Sequence, residues 1–145
     1  MSYDIQLTGG KIYLDDQNGD IEIVSNSDKL IQSILKELST ILGSDLFDPS
    51  RGSELTSRNV GESLDPAVFI TKTTSDITRT IEALRELQER QATQQFWTDA
   101  EMVSEIEDLI VEQDSIEPRQ YNVTIKVLSR SLTPVKITFT IQQTI

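Results

Sequence analysis

The sequence predicts an α+β fold, with N-terminal short strands and two main helices packed with a C-terminal antiparallel three-stranded meander. Three observations predict it. Apolar residues recur at helical spacing across 27–42 and 65–92. They alternate at period two across 120–129 and 135–142. Short apolar runs near the N-terminus are separated by Gly and Asn-Gly. A length of 145 residues suits a single domain. It divides into N-terminal strands (1–26), a helical part containing a 44–64 loop (27–103) and a β part (104–145).

The N-terminal strands are short. Ile5–Leu7 precedes Gly9-Gly10, Lys11–Leu14 precedes DDQNGD, and Ile21–Val24 follows. Asn18-Gly19 suits a type I′ turn, which needs positive φ at both central residues. A calcium loop with Gly19 as its sixth residue would begin at Leu14, which cannot ligate.

The first helix is expected from an N-cap at Ser27, with Asp28 at the positive end of the dipole. Leu30, Ile31, Ile34, Leu35, Leu38, Ile41 and Leu42 form its apolar face, and Gly43 is its expected C′ residue. The connection at 44–64 is long, and Leu46, Phe47 and Leu55 are expected to anchor it to the core. Asp65-Pro66 opens the second helix as cap and N1. Phe69, Thr73, Ile77, Ile81, Leu84 and Leu87 or Gln88 mark its seam, with Glu86–Arg90 as a favourable i, i+4 pair. Thr98-Asp99-Ala100-Glu101 matches a capping box, with Trp97 and Met102 as its staple and a short helical turn to follow.

The meander is expected at about 104–116, 120–129 and 135–142. For the apolar sets of the last two strands to share a face, opposed residue numbers must sum to an even number. That favours an odd loop such as Leu132-Thr133-Pro134. A tight turn at Pro118-Arg119 would set Glu107 opposite Arg130 and Val111 opposite Lys126.

Composition bounds the function. The chain has neither Cys nor His, which excludes thiol nucleophiles, disulfides, His metal sites and Ser-His triads. A net charge of −11 disfavours nucleic-acid binding. No apolar run approaches the ~18 residues of a membrane span, and MSYDIQL lacks the features of a signal peptide. Residues 98–117 hold eight acids and no base, whereas 118–145 hold four bases and no acid. That asymmetry fits either internal pairing or a charged partner. No nucleotide-binding glycine motif is present, and no cofactor is expected.

Asp45, Asp48 and Glu54 are the carboxylates that glycoside hydrolysis could use. Only Phe47 is aromatic in that loop, however, and nothing supplies the paired geometry that the chemistry needs, so a loop fixed by turn residues and an Asp–Arg contact with Arg51 is the preferred reading. The last strand, TPVKITFTIQQTI, has the composition of an exposed edge, which either accepts a partner strand or is an ordinary edge guarded by Lys136.

Three stretches resemble the baseplate wedge and sheath-initiator family of contractile phage tails, often labelled lysozyme-like. They are the N-terminal DIQL-x-GG-x-I pattern, Leu30-Ile31-Gln32-Ser33-Ile34, and Leu42-Gly43 through FDPSRGSEL. The resemblance implies a non-enzymatic structural protein of the virion tail baseplate, made in the host cytoplasm. Its partners would be the tail sheath protein, baseplate wedge proteins and tube-initiating proteins, with neither nucleic acid nor membrane. The sheath would dock by strand exchange on the last strand, through Val135, Ile137, Phe139 and Ile141. Phe47, Asp48 and Arg51 would meet wedge or tube. A small peptidoglycan-degrading lysozyme is the alternative. The family also carries an E-P-R motif between its second helix and its β part, a slot that falls near 102–107 here. Glu117-Pro118-Arg119 lies one strand later, so it is either that wedge contact or a turn.

Overall fold

The computed structural model describes residues 3–8, 11–12, 23–55, 57 and 65–143. Gly9-Gly10, DDQNGD with its Asn18-Gly19 turn, and Gly61 lie outside them. Strands β1 (Asp4–Ile5), β2 (Leu7–Thr8), β3 (Lys11–Ile12) and β4 (Ile23–Val24) precede helices α1 (Asn26–Ser39) and α2 (Pro66–Gln91). Strands β5 (Val103–Gln113), β6 (Gln120–Ser129) and β7 (Pro134–Gln142) follow. Antiparallel pairing joins β1 to β4 and β2 to β3, and β5-β6-β7 form the main sheet. This is the α+β arrangement the patterning predicts.

The helices lie on one face of the meander, α2 against β5 and α1 against both α2 and β7. Leu30, Ile34 and Leu38 of α1 join Phe69, Ile77, Ile81 and Leu84 of α2 above Tyr121, Val123, Ile125, Val127, Val135 and Ile137. Each such side chain contributes roughly 1.5–3 kcal/mol by leaving water. The opposite face carries Asn122, Lys126, Lys136, Thr138 and Thr140, all exposed.

α2 opens as expected, Asp65 accepting from the Ala67 N–H at 3.0 Å with Pro66 behind it. Its seam ends on Gln88 rather than Leu87. The Gln88 amide is buried and satisfied, donating to the Glu101 carbonyl (3.0 Å) and accepting from the Val103 N–H (2.9 Å). Glu86 does not take Arg90; that guanidinium reaches Asp48 at 3.7 Å.

α1 is shifted from its expected limits. Its N-cap is Ser25, not Ser27, because Asn26 at φ 52° turns the chain inward and donates its N–H to Glu101. The helix stops at Ser39, since Thr40 is extended and Ile41 bridges to Ser53. Gly43, at φ +81°, therefore serves the following turn and not the helix end. The capping box is half formed. Glu101 accepts from the Thr98 N–H at 3.1 Å while the Thr98 hydroxyl finds no partner, and a turn follows instead of a helix. Met102 is buried, but Trp97 stacks under Lys29, 4.1 Å from the ring centroid.

In the meander, Val127 faces Val135 and Ile125 faces Ile137, so opposed numbers do sum to an even value. The odd loop is Arg130-Ser131-Leu132, with Leu132 at φ 61° and Ser129 bonded to Thr133. The β5 register differs from expectation. Val111 faces Val123 and Asp108 faces Lys126, because the β5–β6 turn spans 115–119 rather than two residues. Arg130 pairs with Glu89 at 2.9 Å, and Glu107 lies 3.7 Å from Lys126. Register shifts at Val103/Glu105 and Ile106/Asp108 are β-bulges. Each bulge flips side-chain parity once, which puts Val103, Ile106, Leu109 and Val111 on the core side together.

Tyr121 is wholly buried against Phe69 at a centroid separation of 4.3 Å, and its hydroxyl has no hydrogen-bond partner. Burial raises its pKa. Tyr121→Phe removes the orphan polar atom and keeps the ring contact. We expect stability to rise by about 1 kcal/mol in urea titrations; a loss of stability would mean that the hydroxyl is solvated.

Candidate functional site

Three regions carry the residues singled out from the sequence: the outer edge of the meander, the loop after α1 and the β5–β6 turn. Val135 and Ile137 are buried and Phe139 and Ile141 half-buried, all directed toward the helices. Their backbones serve β6. The Ser129–Thr133 and Arg119–Gln143 hydrogen bonds fix the phase of the ladder. Antiparallel pairing alternates, so 135, 137, 139 and 141 bond to β6. The N–H and C=O groups of Lys136, Thr138, Thr140 and Gln142 point away from the sheet. The edge that another strand could meet is therefore the backbone of these residues; sequence reasoning chose the right strand but singled out the alternate set, and took Lys136 only as a guard. The parity of Pro134, whose missing N–H belongs on that outer side, is the signal that could have found them.

The sheet's two edges differ. β5 carries both bulges and exposes Glu105, Glu107, Asp108 and Glu112. Bulges and charge are the usual guards of an edge. β7 pairs with β6 without a register shift over its whole length, contains no acid, and has Lys136 as its one charged residue.

The second region, 45–55, is locked. The Asp45 carboxylate accepts from the N–H groups of Phe47 (2.9 Å) and Asp48 (3.3 Å), and also meets Arg51. Arg51 makes two hydrogen bonds to Glu37, a buried carboxylate, which raises its pKa and keeps it cationic. The Glu54 N–H donates to Asp76 at 2.9 Å. Leu55 is buried as expected, but Leu46 and Phe47 are 92% and 99% exposed and anchor nothing in the core. The Asx turn at Asp45 settles this, since it directs the Leu46-Phe47 backbone outward while its neighbours are tied down.

Glu117, Pro118 and Arg119 stand exposed in the β5–β6 turn, next to the exposed Ile116. Asp114 organises that turn. It accepts from the Glu117 and Ile116 N–H groups and from Asn122, which together lower its pKa.

The carboxylates of Asp45 and Asp48 both have structural engagements. Asp48 is held below the usual carboxylate range, chiefly by the Ser50 hydroxyl and N–H and then by Arg90 and Arg51. A glycosidase acid needs the opposite shift. Among the described residues no group of His, Cys, Asp and Glu could hold a metal ion, and no helix is long and apolar enough to cross a membrane.

Neither a protein-family model nor a curated protein sequence matches this chain. A solved structure does: the crystal structure of a "putative tail lysozyme" from Geobacter sulfurreducens. It superimposes with a TM-score of 0.60 at 13% identity, covering 86% of this chain and 97% of that one. At that identity the two share a fold.

Proposed function

We propose that this chain is a structural protein of a contractile phage tail, resident in the baseplate, that nucleates the tail sheath. Its β7 edge accepts an extended strand of the sheath protein. The exposed Phe47, with Asp48 and Arg51 in its loop, meets wedge or tube-initiating proteins, and the 117–119 turn offers a further wedge contact. The reading is non-enzymatic.

The observation that carries it is the contrast between the sheet's edges, β5 bulged and acidic, β7 regular with Lys136 as its one charge. A long, regular edge with a single charge is a ready template for another strand. The shared fold with a protein described as tail-associated supports the setting, as does the sequence resemblance.

Truncating β7 is a poor test, because Val135 and Ile137 belong to the core. Thr138→Pro is better. It removes an outward N–H and leaves the bonds to β6. Particles carrying it should have baseplates and tubes but no sheath by electron microscopy. Normal sheaths would sink the edge reading. Clearing of a peptidoglycan suspension by the purified protein, lost in Asp48→Asn or Glu54→Gln, would establish the lysozyme instead.

A further inference from the structure

Asp108, Lys126 and Lys136 are register partners across β5, β6 and β7, so they form one row on the open face of the sheet. Two lysines therefore stand directly opposite each other. By the alternation set out above, theirs is a non-hydrogen-bonded pair, the closer kind, with Cα atoms about 4.5 Å apart. Like charges so placed are destabilising. Lys126 has Glu107 at 3.7 Å. Lys136 forms no ion pair among the described residues and is the last residue of the row. A carboxylate in a fourth strand would give each lysine of the row an acid on one side.

The other face of the same edge is also incomplete. Val135 and Ile137 are buried, but Phe139 and Ile141, further along β7, are only half-buried. A neighbouring strand with apolar residues on its helix side would cover them.

Resting on the edge-docking reading, we infer that Lys136 sets the specificity of that edge. Its occupant is an extended partner segment, antiparallel to β7. It places an acid opposite Lys136 and apolar residues opposite Phe139 and Ile141. The antiparallel sense continues the meander and is the more stable pairing.

The test uses the full chain and two nine-residue peptides, TVTVTVEVT and TVTVTVKVT, each carried on a polyethylene glycol chain to remain monomeric. They differ only at the residue opposite position 136. Binding is followed by NMR titration and by amide-exchange protection at Thr138 and Thr140. The Glu peptide should bind about 5-fold tighter than the Lys peptide, and Lys136→Glu should reverse the order. Lys136→Glu should also melt higher than the parent, which confirms that it is folded and that the Lys–Lys opposition is real. Equal affinities of both peptides for both proteins would overturn the specificity while leaving edge docking intact. Failure of both peptides to protect Thr138 and Thr140 would overturn edge docking itself.

Discussion

Gly52→Ala should destabilise the protein by about 3–5 kcal/mol, lowering the melting temperature by roughly 10–20 °C. Gly52 has φ +96°, and a Cβ there would lie 2.6 Å from the Thr40 carbonyl oxygen and 3.0 Å from the Ile41 backbone. Neither neighbour is a flexible side chain that can swing aside. Both belong to the segment that ends α1, and Ser53 bonds back to it at 2.8 Å. The glycine carbonyl is also committed, accepting from Arg79 and Thr80 of α2. A methyl group would therefore pry the loop from α1 and strain its attachment to α2 together. Gly43→Ala is the control. Gly43 also has positive φ, but a Cβ there meets nothing within 4 Å, so only the backbone preference is lost, about 1 kcal/mol. Thermal and urea melts of the two variants separate close approach from conformational strain. Equal losses would refute the steric account.

Much of this architecture is legible in the sequence, and the reasons vary by element. The α2 cap and seam are legible because Asp-Pro and the 3.6-residue spacing act locally. The β6–β7 register is legible because two clean alternations allow only one parity. β5 resisted because its apolar residues change parity between Val103 and Ile106 and again between Ile106 and Leu109. Those two switches correspond to the two bulges. They are a readable sign once a uniform register is not assumed. The candidate site was less legible. Phe47 reads as a core anchor because aromatics in long loops are commonly buried. Its exposure is decided by the Asp45 carboxylate, which caps the Phe47 and Asp48 N–H groups while Arg51 is drawn to Glu37, 14 residues away. Which acid an arginine selects across such a distance depends on the packing of α1, and no local pattern encodes it.

That pairing leads to the second large effect. Glu37 is 5% exposed, and Arg51 is the cation that compensates it. Arg51→Met leaves a carboxylate in the interior with the Gly52 N–H as a remaining donor at 3.3 Å. Breaking a fully buried pair costs roughly 3–5 kcal/mol; here Arg51 keeps about a third of its exposure, so we expect about 2–4 kcal/mol. The penalty lies in the stranded charge rather than in the lost attraction, so the double variant Arg51→Met, Glu37→Leu should recover most of it. A double variant as unstable as Arg51→Met alone would show that the guanidinium acts by tethering the loop. The two outcomes also differ for docking. Phe47 is presented by a loop that Arg51 helps to fix, and an apolar anchor binds well only when its presentation costs little ordering entropy. If the charge argument holds, the double variant is stable yet displays Phe47 on a looser loop. It should fold like the parent but bind the proposed baseplate partners about as weakly as Phe47→Ala, measurable as co-assembly into particles. A double variant that recovers stability and assembles normally would remove Phe47 from the docking surface and leave the β7 edge to act without it.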